Sequence, residues 1–239
     1  MGNIKALFTQ GTWPSKINLD QKKLDQQSQY WENSFSSKPE MFGLEPSVAA
    51  TKSIKFFKKK NIKNIVELGA GLGRDTIFFA KNSINVKALD YSLSAIKIIN
   101  KKIKKNNLFN SAITKIFDVR KKLPFNDNSI DGFFSHMLYC MALSTEEIEK
   151  LNNEIYRVLK PNGINIYTVR HNEDGDYKKG THIGEDLYQN DGFIVHFFSE
   201  EKIKYLSKGF NIIEIEKFEE GSFPRKLFRV VLEKKSLTR

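Results

Sequence analysis

The sequence predicts an α/β domain, a parallel sheet covered by helices on both faces. Short apolar runs alternate with amphipathic stretches from residue 64 to residue 169, which is the pattern of strands linked by crossover helices. A glycine-rich turn joins the first run to the first of those helices. Two later apolar runs, 210–216 and 227–233, flank a loop with Gly221 and Pro224, so they are expected to form an antiparallel hairpin.

Residues 1–20 hold no periodic pattern and are expected to be irregular. A helix is expected over 21–35, carrying Tyr30 and Trp31. Pro46 suits the first turn of a helix over 46–59, and the Lys58-Lys59-Lys60 run then faces the negative end of its dipole. Strands follow at 64–68, 85–89, 112–117, 130–135 and 164–169. Between them lie helices at 74–81 and 92–105, the second with Ala95, Ile96, Ile99 and Ile103 at helical spacing. Ser144-Thr145-Glu146-Glu147 is a capping box opening a helix to about Leu159. Residues 171–196 are polar with little periodicity, and a helix over 199–208 precedes the hairpin.

At 239 residues and 40% hydrophobic composition, one core is expected. A single cysteine, Cys140, excludes an internal disulfide and a cysteine-based zinc cluster. The first residues lack the apolar stretch of a signal peptide, and no run approaches the ~18 apolar residues of a membrane span. Gly2 would suit N-myristoylation, but Ala6 stands where Ser or Thr is required. A cytoplasmic protein with no membrane partner is therefore expected. The net charge of +11 admits a nucleic-acid partner. Yet 39 residues are Lys or Arg and only seven of them are Arg, and the lysine runs fall on expected helix faces and ends without interleaved aromatics. Lysine bias accounts for the charge, and specific nucleic-acid binding is not expected.

The chemistry centres on Glu67-Leu68-Gly69-Ala70-Gly71-Leu72-Gly73-Arg74-Asp75. The chain leaves a buried strand, turns on glycines that let the backbone approach a ligand, and enters a helix whose first N–H groups are free. Asp90 closes the next strand, where a carboxylate can accept from ribose hydroxyls. Dinucleotide dehydrogenases place a third glycine five residues after the first. Here it comes at four, Arg74 follows it, and Glu67 sits two places before the first.

These blocks resemble the class I S-adenosylmethionine-dependent methyltransferases, over roughly residues 45–170. Further blocks of the resemblance are Ala88–Ser92, Phe117-Asp118-Val119, Ser129–Ser135 and Glu154–Gly163. Arg74-Asp75, Tyr30-Trp31 and the Phe42-Gly43…Glu45-Pro46 stretch resemble, more loosely, the tellurite-resistance and thiopurine-type small-molecule enzymes. The resemblance implies a doubly wound, mostly parallel seven-stranded sheet with a C-terminal antiparallel hairpin, residues 45–239 forming the catalytic domain and 1–44 a cap. It implies S-adenosylmethionine as cofactor. Gly69 and Gly71 would approach its methionine part, with Glu67 and Arg74 in support and the Ser135 carbonyl near its amino group. Asp90 would hold the ribose and Tyr91 lie against the adenine, with Asp118 and the Val119 N–H meeting the base.

The acceptor is less marked, because the cofactor carries the hard chemistry and a general base is optional. No Asn/Asp-Pro-Pro-aromatic tetrapeptide occurs, and no Pro precedes Cys140, so the common adenine-amino and cytosine-C5 enzymes are not resembled. His136 and His171 follow the fourth and fifth strands, at the sheet edge where open α/β sheets bind ligands. Either is a candidate base or acceptor-orienting group, set against the plainer reading of a hydrogen-bonded loop histidine. His171, His182 and His196 lack a tight ligand spacing, so no metal is expected. A small-molecule acceptor is the leading expectation. An RNA or protein acceptor is the second, and a cofactor-binding protein without turnover the third. Residues 171–196 are expected to roof the acceptor pocket.

Overall fold

The computed structural model describes residues 19–221 and 225–235. Helices α1 (Gln21–Ser37) and α2 (Val48–Lys59) lead the chain. The alternation follows: β1 (Asn64–Leu68), α3 (Arg74–Lys81), β2 (Asn85–Asp90), α4 (Leu93–Lys105), β3 (Ala112–Ile116), β4 (Ile130–Ser135), α5 (Thr145–Val158) and β5 (Leu159–His171). After it come β6 (Thr181–Gly184), β7 (Leu187–Asn190), β8 (Phe193–Phe198), α6 (Glu200–Leu206), β9 (Phe210–Glu220) and β10 (Arg225–Lys234).

Serines set the helix starts. The side chains of Ser47, Ser92, Ser144 and Ser199 accept from backbone N–H groups of α2, α4, α5 and α6, filling donors that a helix start leaves unpaired. Ser144 and Glu147 close a full capping box. Lysines end α2 and α4, where the dipole is negative. The cap of α2 is Ser47, one residue past the expected Pro46 start.

The main sheet runs β3-β2-β1-β4-β5-β10-β9. The first five strands are parallel and β10 is antiparallel to both β5 and β9. Alternating side chains feed two faces: Ile65, Phe134 and Ile166 pack with α2, α3 and α4, while Val66, Phe133 and Tyr167 pack with α5 and α6. Each fully buried aromatic such as Phe79 or Phe133 contributes roughly 1.5–3 kcal/mol. This is the expected α/β class.

Three strands are added to the expected seven. The 171–196 segment, read as irregular, contains β6 and β7 and leads into β8. These are antiparallel to one another, and β8 pairs in parallel with β5 at Arg170 and His171, beyond the end of β4. β6 and β7 have four residues each, too few to display a period. The expected irregularity of residues 1–18 lies outside the described residues.

Candidate active site

The carboxyl ends of β1, β2, β4 and β5 open into a cavity of about 570 Å³, lined also by α1 and the β9–β10 hairpin. That volume lies within the usual range of small-ligand and cofactor pockets. Its floor is the glycine turn. Gly69, Gly71 and Gly73 have φ of +65°, +52° and +76°, a region costly for other residues. At Gly73, which caps α3, a Cβ would lie 2.7 Å from Ile99 Cγ1.

The turn is tied to Asp90. Its carboxylate accepts from the Gly71 N–H at 2.8 Å and from the Ser92 N–H at 2.9 Å, one on each oxygen. Each oxygen keeps a further lone pair. Burial nonetheless lifts the Asp90 carboxyl to about 6, the two N–H donors and the nearby Glu32 modifying that rise. A buried, partly satisfied carboxylate beside a glycine cradle fits a vicinal diol. Glu67 lines the same cavity and takes a 2.5 Å hydrogen bond from the Thr76 hydroxyl. Burial, with Asp75 and Asp90 nearby, pushes its carboxyl well above the usual range. A cationic ligand group would relieve that cost.

Tyr91, Phe117, Asp118 and Val119 line the cavity at the ends of β2 and β3. Asp118 arrives there already engaged: Arg120 Nε lies 3.1 Å from both carboxylate oxygens and Nη2 is 2.8 Å from Oδ2. Burial opposes ionisation, but these bonds outweigh it and hold the carboxyl below its ordinary value. Arg120 also reaches Asp25 on α1 at 2.5 Å.

His136, Arg74, Glu220 and Arg225 also line the cavity. His136 Nδ1 pairs with the Thr168 hydroxyl at 3.0 Å, and that hydroxyl also accepts from the Met137 N–H. Nε2 lies 3.5 Å from Glu220 Oε2. Burial lowers the His136 pKa against the pull of Asp75 and Glu220, so the ring is neutral at pH 7. Arg74 reaches Glu220 Oε1 at 3.4 Å and the Phe42 carbonyl at 3.2 Å.

Two of the expected residues are not brought to the cavity. Ser135 is buried behind it, its hydroxyl without a hydrogen-bond partner among the described residues. His171 stacks on Phe228 of β10 at 4.1 Å between ring centroids, and its Nδ1 accepts from the Glu173 N–H. β5 runs two residues past its expected end, and strand alternation turns Arg170 rather than His171 toward the cavity. Arg170 is neutralised there by Asp174 at 2.5 Å and Asp176 at 2.8 Å.

α1 covers the cavity with Tyr30, Trp31 and Phe35. Gln27 fastens it to β8, donating to the Gly192 carbonyl and accepting from the Ile194 N–H, both at 3.1 Å.

Known proteins resemble this chain in sequence and in fold. Residues 65–163 match the model of a family described as a methyltransferase domain. The chain is 36% identical over 168 residues to phosphoethanolamine N-methyltransferase 1 of Triticum aestivum, covering 68% of this chain and 30% of that protein. It therefore spans less than a third of that relative's length. Among solved structures, Burkholderia thailandensis 1,6-didemethyltoxoflavin-N1-methyltransferase superposes with a TM-score of 0.72 at 14% identity, over 94% of each chain. TehB from Haemophilus influenzae does so with a TM-score of 0.60 at 16% identity, over 86% of this chain and 67% of that one.

Proposed function

We infer, from a chain that belongs to the class I S-adenosylmethionine-dependent methyltransferases, an enzyme that moves a methyl group to a small-molecule acceptor bound at the His136 end of the cavity. The observation that carries this reading is the continuity of that cavity, which runs from the Gly71–Asp90 cradle to His136 beneath α1. A donor seated on the cradle and an acceptor beside His136 would share one covered space.

When bound, S-adenosylmethionine supplies an electrophilic methyl carbon whose C–S bond breaks with its electron pair staying on sulfur. Asp90 would accept from the ribose hydroxyls, and Gly69 and Gly71 would let the methionine part approach the backbone. Glu67, desolvated and acidic, would answer the methionine ammonium, with Arg74 beside it. Tyr91, Asp118 and the Val119 N–H would frame the adenine. In the same reading 1–44 is a cap, represented here by α1, and 45–239 the catalytic domain. Helix α1 excludes water from the transfer, which strengthens every electrostatic contact inside.

An RNA acceptor would have to bring a single flipped-out nucleotide beneath α1. The charge of +11 is the feature that favours it. No helix of the described residues is long and apolar enough to cross a membrane, and we place the protein in the cytoplasm. Calorimetry with S-adenosylhomocysteine, followed by transfer from methyl-labelled donor to a metabolite extract and to total RNA, tests the reading. Binding with label in small molecules is expected. Label confined to RNA, or no binding of S-adenosylhomocysteine, would overturn it.

A further inference from the structure

Glu220 lies outside the 65–163 family match, at the end of β9, yet its carboxylate enters the cavity. Oε1 is occupied, accepting from the Val48 N–H at 3.3 Å and from Arg74 at 3.4 Å. Oε2 is buried and has no hydrogen bond among the described residues. His136 Nε2 lies 3.5 Å from it, too far for a hydrogen bond. A carboxylate oxygen left in that state is costly, and the cost is removed by a ligand donor placed against it.

His136 narrows the chemistry of that donor. The ring is neutral, so one nitrogen accepts. In the tautomer whose Nδ1–H donates to Thr168, Nε2 and Glu220 Oε2 are two acceptors 3.5 Å apart, on two residues that line the cavity. A hydroxyl or thiol has a single proton and can serve only one of them. An amino group carries enough N–H donors for both: it arrives as an ammonium whose charge answers the carboxylate, and passing one proton to His136 Nε2 frees the lone pair that forms the new N–C bond as the methyl C–S bond breaks. Arg225 stands directly opposite Glu220 in the β9–β10 register and also lines the cavity, without an ion pair among the described residues. An anionic substituent on the same ligand would find its counter-charge there.

Resting on the methyltransferase reading above, we propose that Glu220 is the acceptor-recognising carboxylate and that the acceptor is a small amine, its amino group held between Glu220 Oε2 and His136 Nε2. The test uses the full chain saturated with S-adenosylhomocysteine and amines matched to hydroxyl isosteres: 2-aminoethyl phosphate against 2-hydroxyethyl phosphate, and tyramine against tyrosol. Calorimetry should show at least one amine bound about 10-fold or more tightly than its isostere, the scale of a charge-assisted hydrogen bond. E220Q should erase that preference and E220D keep part of it, the ratio of amine to isostere being read in each folded variant at saturating S-adenosylhomocysteine, because Oε1 also pairs with Arg74 and the Val48 N–H. No preference in either pair, including no binding at all, or a preference that survives E220Q, would overturn the proposal. Failure of S-adenosylhomocysteine itself to bind would instead remove the methyltransferase reading.

Discussion

The carboxylate of Glu32 on α1 accepts a 2.6 Å hydrogen bond from the hydroxyl of Ser94 in the first turn of α4. It takes another at 2.6 Å from Ser92, the cap of that helix, and faces the Ser94 N–H. A negative charge at a helix start is doubly favoured, by the dipole and by the unpaired N–H groups. The bonds from Ser92 and Ser94 hold the Glu32 carboxyl below its ordinary value. Ser92 is also bonded through its N–H to Asp90, so one residue joins the cap to the proposed ribose site. Glu32→Ala should therefore loosen α1 and weaken S-adenosylhomocysteine together, by roughly 3–10-fold for the loss of hydrogen bonds to a charged group. Calorimetry and limited proteolysis of residues 19–45 measure the two effects. Faster cleavage with unaltered affinity would separate the cap from the donor site.

Asp90 predicts a pH dependence of donor binding. Its carboxyl is lifted to about 6, chiefly by burial. Below that pH the ligand-free protein carries a neutral acid, which has one oxygen fewer to accept with and no charge. S-adenosylhomocysteine affinity should thus fall as pH drops through 6, and Asp90→Asn should remove this step. Asp90→Ala should cost roughly 1.5–3 kcal/mol of binding at neutral pH. Titrations at several pH values check both expectations. A wild-type affinity that stays flat from pH 7.5 to 5 would rule out an ionised Asp90 as the ribose acceptor.

Gly73 is a stability prediction. Its φ of +76° is unfavourable for any side chain, and its Cβ would strike Ile99, fully buried between α4 and the sheet. Gly73→Ala should cost roughly 1–3 kcal/mol from overpacking and backbone strain. Urea unfolding measures it, and a loss under about 0.5 kcal/mol would mean that α4 shifts freely, since only unconstrained sites change so little.

The geometry of the glycine turn and Asp90, where the donor is proposed to sit, was legible because local rules set it. A strand leading to a helix through three glycines requires positive φ at those positions, and Asp90 follows from the length of the next strand–turn unit. Glu67 and the serine caps obey the same short-range logic. The acceptor end depends on long-range register. Glu220 and Arg225 reach the cavity only because β9 pairs with β10 and β10 with β5. Choosing between Arg170 and His171 required the last residue of β5, and a one-residue error there reverses the face a side chain takes. β8 offered a signal, the apolar run Phe193–Phe198, but it began inside a polar stretch and carried a buried histidine.

That histidine predicts acid sensitivity. His196 is fully buried, with Nδ1 2.7 Å from the Leu143 carbonyl and Nε2 against Lys202. Burial first, then the Lys202 charge, holds its pKa well below the ordinary 6.5. Burial likewise lowers His136 and His171. The unfolded chain therefore binds protons near 6.5 that the fold refuses, so these rings cost stability as pH drops below that value, while the raised Glu67 and Asp90 carboxyls act in the opposite direction. In a Glu67→Gln, Asp90→Asn background, which removes those two carboxyls, melting temperature should be lower at pH 5.5 than at pH 7.5. An unchanged or higher value at pH 5.5 would mean that some of these rings ionise in place.

The last prediction concerns how the cavity is roofed. The 171–196 segment is a poor target for replacement by a flexible linker, since Ile183 and Leu187 are buried and pack with Leu24 of α1. Gln27 is the better probe. It is nearly buried and bonds both a carbonyl and an N–H of the β7–β8 region, so its removal frees α1 and leaves two backbone groups unpaired. Gln27→Ala should cost about 1–3 kcal/mol of stability, the scale of such unsatisfied groups. Packing alone predicts that loss and nothing more. If α1 and β8 together close the cavity during transfer, the variant should also release S-adenosylhomocysteine faster and lower kcat more than it raises KM, because water then enters before transfer is complete. Stopped-flow release followed by Trp31, which lines the cavity, gives the first quantity, and labelled-methyl turnover gives the second. A variant that is less stable but keeps the wild-type release rate and kcat would leave Gln27 a packing residue and the roof a static one.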